Sequence, residues 1–178
     1  MKFDEQYTGI MQNLLFERQG SIVLYPGGFK PPHKGHFEAL KYLIHKFDAQ
    51  LAVVLIGKPC RDTVTCQQSQ AIWNIYKENI NIPVETQIAE VSPVRSVYEY
   101  AENNINEVLI VGAGEEDMSR YKYFETNKDK FPNVVVTSVP PQFGRISGSE
   151  TRKNLSDTNW IPDDALDHVD KIHSILGL

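Results

Sequence analysis

Two histidines three positions apart, His33 and His36, sit in the stretch Pro26-Gly27-Gly28-Phe29-Lys30-Pro31-Pro32-His33-Lys34-Gly35-His36, with glycines and lysines around them. An apolar run, Ile22-Val23-Leu24-Tyr25, precedes this stretch, and a helical pattern with Phe37, Leu40, Leu43 and Ile44 on one face follows it. The order is strand, glycine-rich turn, helix start, and that order suits a phosphate. Glycines let backbone N–H groups approach an anion, the helix end supplies unpaired donors and partial positive charge, and the two imidazoles share one face of the first turn. Lys30, Lys34 and the chargeable histidines oppose the helix dipole there, which makes sense if an anion is expected. A plain strand-to-helix loop would also explain the glycines and prolines. Paired histidines could ligate zinc, but zinc wants three or four ligands, and Cys60 and Cys66 lie downstream without a Cys-x-x-Cys spacing. No residue is assigned to a metal.

A second stretch, Arg145-Ile146-Ser147-Gly148-Ser149-Glu150-Thr151-Arg152, lies more than a hundred positions further on. Ser147 with Glu150 reads as a capping box, which explains those two residues without a ligand. Capping does not explain Arg152 and Lys153 in a first turn, where acids are favoured. A triphosphate tail held by helix N–H groups, the Ser149 hydroxyl and the Arg152 guanidinium would account for the whole set.

Gly27 to His36 resembles the G-x-F-x-P-x-H-x-G-H signature of the nucleotidyltransferase superfamily, which includes pantetheine-phosphate and nicotinamide-nucleotide adenylyltransferases and the small cytidylyltransferases. Ile146 to Arg152 is similar to its second signature, I-S-[ST/G]-[ST]-x-[ILV]-R. Both occur in the right order, and the match spans roughly residues 20 to 155. Ser149 replaces the commoner threonine and keeps the hydroxyl, while Thr151 replaces an aliphatic residue and leaves the packing behind that helix open.

The resemblance implies an enzyme that moves a nucleoside monophosphate from a nucleoside triphosphate to a phosphorylated small molecule and releases pyrophosphate. Mg²⁺ would arrive on the triphosphate. His33 and His36 would be donors to the α-phosphate and bridging oxygen, Lys30 would assist them or bind the acceptor, and Arg152 would grip the polyphosphate. Gly27, Gly28 and Phe29 would offer backbone contacts, and Gly35 would let the nucleotide approach the helix. Gly112, Glu115, Asp117 and Arg120 resemble the segment facing the nucleotide, and Ile146, Ser147, Gly148 and Ser149 the one holding its tail. The Pro-x-His form of the signature favours ATP. No Arg-Tyr-Val-Asp-Glu segment of the cytidylyltransferase kind is present, and Asn106-Glu107-Val108 only echoes it. CTP with a polyol or choline-type phosphate is the alternative, as is a non-catalytic nucleotide-binding or assembly protein on the same fold.

The elements that must position these groups follow from periodicity. Leu51 to Ile56 is a continuous apolar run, as expected of a strand covered on both faces of a parallel sheet. It ends in a loop carrying Lys58 and Arg61 at the rim where ligands bind in such sheets, so both are candidate acceptor contacts. Thr65 and Gln68 open a helix with Ile72, Ile75 and Tyr76 on its apolar stripe. Strands over 84–89, 107–112 and 134–138 alternate with helices, one of which has Arg95 in its first turn, an awkward place for a cation unless an anion is near, which makes it a third candidate acceptor contact. The pattern predicts an α/β sheet with right-handed, parallel crossovers. The resemblance makes it a Rossmann-like doubly wound five-stranded sheet of order 3-2-1-4-5, with its crevice at the topological switch point.

Two ends complete the chain. Phe3, Tyr7, Ile10, Met11, Leu14 and Leu15 predict an added amphipathic helix over 1–20, suited to covering a sheet edge or helix, with a dimer seam or homo-oligomer left open. Residues 156–178 predict a C-terminal helix with Val169, Ile172 and Ile175. With 178 residues, 41% of them hydrophobic, a single domain over 1–178 with its core at 21–155 is expected. A net charge of −5 argues against a general nucleic-acid or anionic-membrane surface. Neither a signal-peptide pattern nor a bilayer-length apolar run occurs, so a cytoplasmic location is expected, with Cys60 and Cys66 as ordinary thiols.

Overall fold

Runs of Val, Ile and Leu too apolar for a solvated sheet face become strands covered on both sides. In the computed structural model, which describes residues 20–142 and 146–178, they are β1 (Ser21–Gly27), β2 (Ala49–Ile56), β3 (Val84–Ile88), β4 (Val108–Ala113) and β5 (Val134–Ser138). All pair in parallel, in the order β3-β2-β1-β4-β5. The expected doubly wound sheet is therefore present. The helix expected over 1–20 lies outside the described residues but for its last position.

Alternation along the strands divides the core into two layers. Val23, Tyr25, Val54 and Ile56 point to the side holding α1 (Lys34–Lys46), α2 (Cys66–Tyr76) and α6 (Val169–Leu176). Ile22, Leu24, Val53 and Leu55 point to the side holding α3 (Pro93–Asn103) and α4 (Lys122–Thr126). The short α5 (Gly148–Lys153) carries the second motif. A 3₁₀ segment, Glu115–Tyr121, leads from β4 into α4 where the sequence pattern gave no helix, and another, Asp163–His168, precedes α6. Among the described residues no helix is long and apolar enough to cross a membrane.

Register positions the crevice. β1 pairs with β2 as far as Gly27↔Ile56 but with β4 only as far as Leu24↔Val111. Beyond Leu24 the central strand is paired on one side alone, and the sheet parts at its switch point, where open α/β sheets hold ligands.

Candidate active site

A cleft of about 1080 Å³ opens there, at the upper end of the roughly 300–1,000 Å³ usual for small-molecule sites. It is lined by Gly27, Gly28, Phe29, His33, Gly35 and His36 from the first motif, and by Ile146, Ser147 and Gly148 from the second. Arg61, Glu115, Asp117 and Arg120 also line it.

His33 is the N-cap of α1 and His36 its third residue, and the two rings close a reciprocal capping box. His36 N–H donates to His33 Nδ1 (3.4 Å) and His33 N–H to His36 Nδ1 (3.2 Å). The rings stack with centroids 3.6 Å apart. With Nδ1 accepting on both, each neutral ring carries its proton on Nε2. Burial lowers the His33 pKa to about 4, and burial together with the neighbouring His33 holds His36 well below 6.5. The expectation of chargeable histidines is corrected: at neutral pH these are two uncharged N–H donors.

The helix end itself offers less than its sequence suggested. Lys34 N–H donates to the Trp160 carbonyl (2.7 Å), and His36 and Phe37 N–H both bond His33 O. The Gly35 N–H is the early donor left over among the described residues. A Cβ at Gly35 would stand 3.1 Å from the His33 ring, so glycine keeps the stacked pair in place.

The loop between β1 and α1 is tied from below. Phe29 has φ 51°, in the left-handed region that bulky residues avoid, and its buried ring meets His36 edge-on at 5.0 Å. Gly27 makes this possible, since a Cβ there would lie 2.6 Å from the Phe29 ring. From α2, Ser69 Oγ donates to Phe29 O and Tyr76 Oη to Pro32 O (3.1 Å). Sequence reasoning missed both anchors; a serine beside the stripe of Ile72, Ile75 and Tyr76 was the signal. It also missed Tyr25, which lines the cleft and whose phenol burial keeps protonated.

Other residues fall elsewhere. Lys30 does not line the cleft: it is 3% exposed, and its Nζ donates to Gly28 O (2.6 Å) and Gly57 O (2.7 Å). Burial holds its pKa below 10.5. Gly112 is inside β4, where a Cβ would collide with Leu43 of α1, so its role is packing. Lys58 is exposed off the cleft, and Arg95 pairs with Glu99 (2.7 Å) on the surface of α3, which accounts for a cation in that first turn.

The second motif is also built differently from its sequence reading. Ser147 Oγ accepts from Glu150 N–H (3.1 Å), but the Glu150 carboxylate turns to Lys153 (2.8 Å), so only half of the capping box forms. α5 spans six residues, which puts Arg152 and Lys153 at its C-terminal end, where cations are favoured, so the helix dipole calls for no ligand there. Thr151 resolves the packing question: it is 5% exposed, with its hydroxyl donating to Ser147 O (3.0 Å). Ser149 is exposed beside Ser147 and does not line the cleft.

Arg152 reaches back to the first motif. Its Nη1 donates to the Lys30 carbonyl (2.8 Å) and its Nε pairs with Asp62. Lys30 is three residues from His33, no more than about 11 Å of backbone. The guanidinium is therefore one loop away from the imidazoles, although Arg152, like Lys30 and Ser149, is not among the residues that line the cleft.

Fold and cleft together define an α/β protein with an open crevice at the switch point of a 3-2-1-4-5 sheet. Among solved structures with this fold are those of Plasmodium falciparum nicotinic acid mononucleotide adenylyltransferase. Its complex with APC superposes with a TM-score of 0.59 at 16% identity, covering 88% of this chain and 98% of that one. Its complex with NaAD gives 0.58 at 17% identity over the same shares. A bifunctional NMN adenylyltransferase/ADP ribose pyrophosphatase from Francisella tularensis, complexed with AMP and Mn, gives 0.57 at 15% identity over 89% of this chain and 51% of that one. No protein-family model matches the chain, and no curated protein matches it in sequence. At these identities the likeness is one of fold.

Proposed function

We propose that the protein is a nucleotidyltransferase that transfers AMP from ATP to a phosphorylated small molecule, releasing pyrophosphate. The observation that carries this reading is the pair of neutral imidazoles locked by their Nδ1 atoms in the wall of the cleft, with Arg152 held one loop away. That solved structures of the same fold include adenylyltransferases supports it.

In this reaction an oxygen of the acceptor's phosphate attacks the α-phosphorus in line. A new P–O bond forms as the bond between the α-phosphorus and its bridging oxygen breaks, and pyrophosphate leaves with the electron pair. The attacking oxygen is already anionic, so no general base is required. Catalysis is a matter of positioning and of stabilising charge on the equatorial oxygens. His33 and His36 donate from Nε2 to the α-phosphate and bridging oxygen, and Gly35 N–H adds a backbone donor. Arg152 holds the β- and γ-phosphates, in part by exchanging Asp62 for them. Mg²⁺ enters with the triphosphate as part of the substrate. Arg61, on the β2 side of the cleft, is suited to the acceptor's phosphate.

The test is a pyrophosphate-release screen with Mg·ATP and Mg·CTP over phosphorylated acceptors, beginning with nicotinamide and nicotinic acid mononucleotides, with the product identified by mass. Turnover with ATP and one of these acceptors is the expected result. Thermal stabilisation by triphosphate without turnover on any acceptor would favour the non-catalytic reading instead.

A further inference from the structure

Lys30 stands in the first motif yet lies under the cleft, where it joins three of its walls. Its ammonium bridges the carbonyls of Gly28, in the turn after β1, and Gly57, at the end of β2 (2.6 and 2.7 Å). Its own carbonyl accepts from Arg152 Nη1 (2.8 Å), which brings in α5. Gly28 and Gly57 both line the cleft, so the ammonium holds two residues of its wall from beneath. Left bare, two carbonyl dipoles beside a polyphosphate would repel it, and the two loops would be joined there mainly by the Gly57 N–H bond to Gly27 O (2.9 Å).

We infer that Lys30 is a positioning residue: its charged side chain fixes the glycine turn against the end of β2, cancels two carbonyl dipoles that would oppose the polyphosphate, and seats the carbonyl that aims Arg152. This deepens the nucleotidyltransferase reading and rests on it. A charged group is required, because a neutral amine would satisfy the carbonyls less well and bring no compensating charge. The titratable groups near enough to influence this ammonium are the Cys66 and Cys60 thiols and the Arg61 guanidinium, with Arg152 and Asp62 beyond the Lys30 carbonyl. Burial comes first among the influences on it and lowers its pKa. The ammonium is present below that pKa and lost as pH rises through it, so the strut fails at a lower pH than an ordinary lysine would.

The experiment measures Mg·ATP affinity by calorimetry and turnover by pyrophosphate release, in the native protein and in Lys30→Met, at a temperature where both are folded by circular dichroism. Affinity is expected to fall about tenfold or more in Lys30→Met, the loss of one charge-assisted interaction. In the native protein, affinity and turnover fall together on an alkaline flank below pH 10.5, and Lys30→Met lacks that flank. Lys30→Met within threefold of native in affinity, or an alkaline flank unchanged in that variant, would overturn the inference. Should Lys30→Met not fold, Lys30→Gln and the native alkaline titration carry the same comparison. The binding arm stands without turnover. Native protein that binds ATP but turns over no acceptor sinks the enzymatic reading, whereas turnover unaffected in Lys30→Met sinks only the role of Lys30.

Discussion

Replacing His36 with alanine separates the chemical from the structural work of its ring. The substitution removes one Nε2–H donor, the Nδ1 acceptor that caps His33 N–H at 3.2 Å, and an edge contact with Phe29 at 5.0 Å. A preorganised donor to a developing oxyanion contributes roughly 10²–10³ in kcat, about 2.7–4 kcal/mol. The cap contributes about 1 kcal/mol of stability and the ring contact roughly 0.5–1 kcal/mol. Against a total stability of about 5–15 kcal/mol the variant stays folded, with Tm lower by roughly 3–8 °C. His36→Asn restores an oxygen that can cap His33 N–H and so recovers part of the Tm, but it lacks a donor at the Nε2 position. Expected outcomes are a kcat loss of 10²–10³ in both variants at saturating substrates, and a Tm deficit smaller in Asn than in Ala. A kcat for His36→Ala within tenfold of native refutes the donor role. A kcat that recovers alongside Tm in His36→Asn shows that the ring only braces the loop.

Further expectations concern charge and packing. His33, whose folded pKa of about 4 lies below its unfolded 6.5, makes the unfolded chain the better proton acceptor between those values. Stability is therefore full above pH 6.5 and declines as pH falls toward 4. A gap of about 2.5 at roughly 1.4 kcal/mol each gives on the order of 3 kcal/mol, and urea unfolding across that range should be flatter in His33→Asn. Arg152→Ala should raise the KM for ATP by about 10- to 150-fold through loss of charge-assisted bonds, while Asp62→Asn, the partner that is 69% exposed, should change it less than fivefold. Tyr76→Phe strands the buried Pro32 carbonyl and should cost about 1–3 kcal/mol in urea unfolding. Gly112→Ala forces a methyl against Leu43 and should destabilise by about 1–3 kcal/mol, with ATP affinity unchanged in the fraction that is folded.

The sheet was legible because each strand is a local apolar run and each helix a local periodicity. The histidine pair was legible for the same reason, since a spacing of three at a helix start brings the rings together wherever that helix lies. Their protonation was not. It depends on burial within the assembled fold, and the segment that seals the start of α1 through Trp160 O comes from the far end of the described chain. Gly112 shows the same limit in reverse. A glycine beside a nucleotide-facing loop and a glycine making room for a leucine look alike until Leu43 is in place.

That the two motifs share one site was expected, but the contact that joins them was the least legible feature, and the reason is chemical. Arg152 finds the first motif through a main-chain carbonyl, a group that every residue type carries. The signature around position 30 therefore cannot reveal it. What the side chain at that position decides is whether the carbonyl is held still, and an ammonium bonded to Gly28 O and Gly57 O does that by a route invisible in one dimension. The spatial logic of the cleft thus runs through Lys30, which read by its charge alone belongs with the histidines and read by its contacts belongs beneath them.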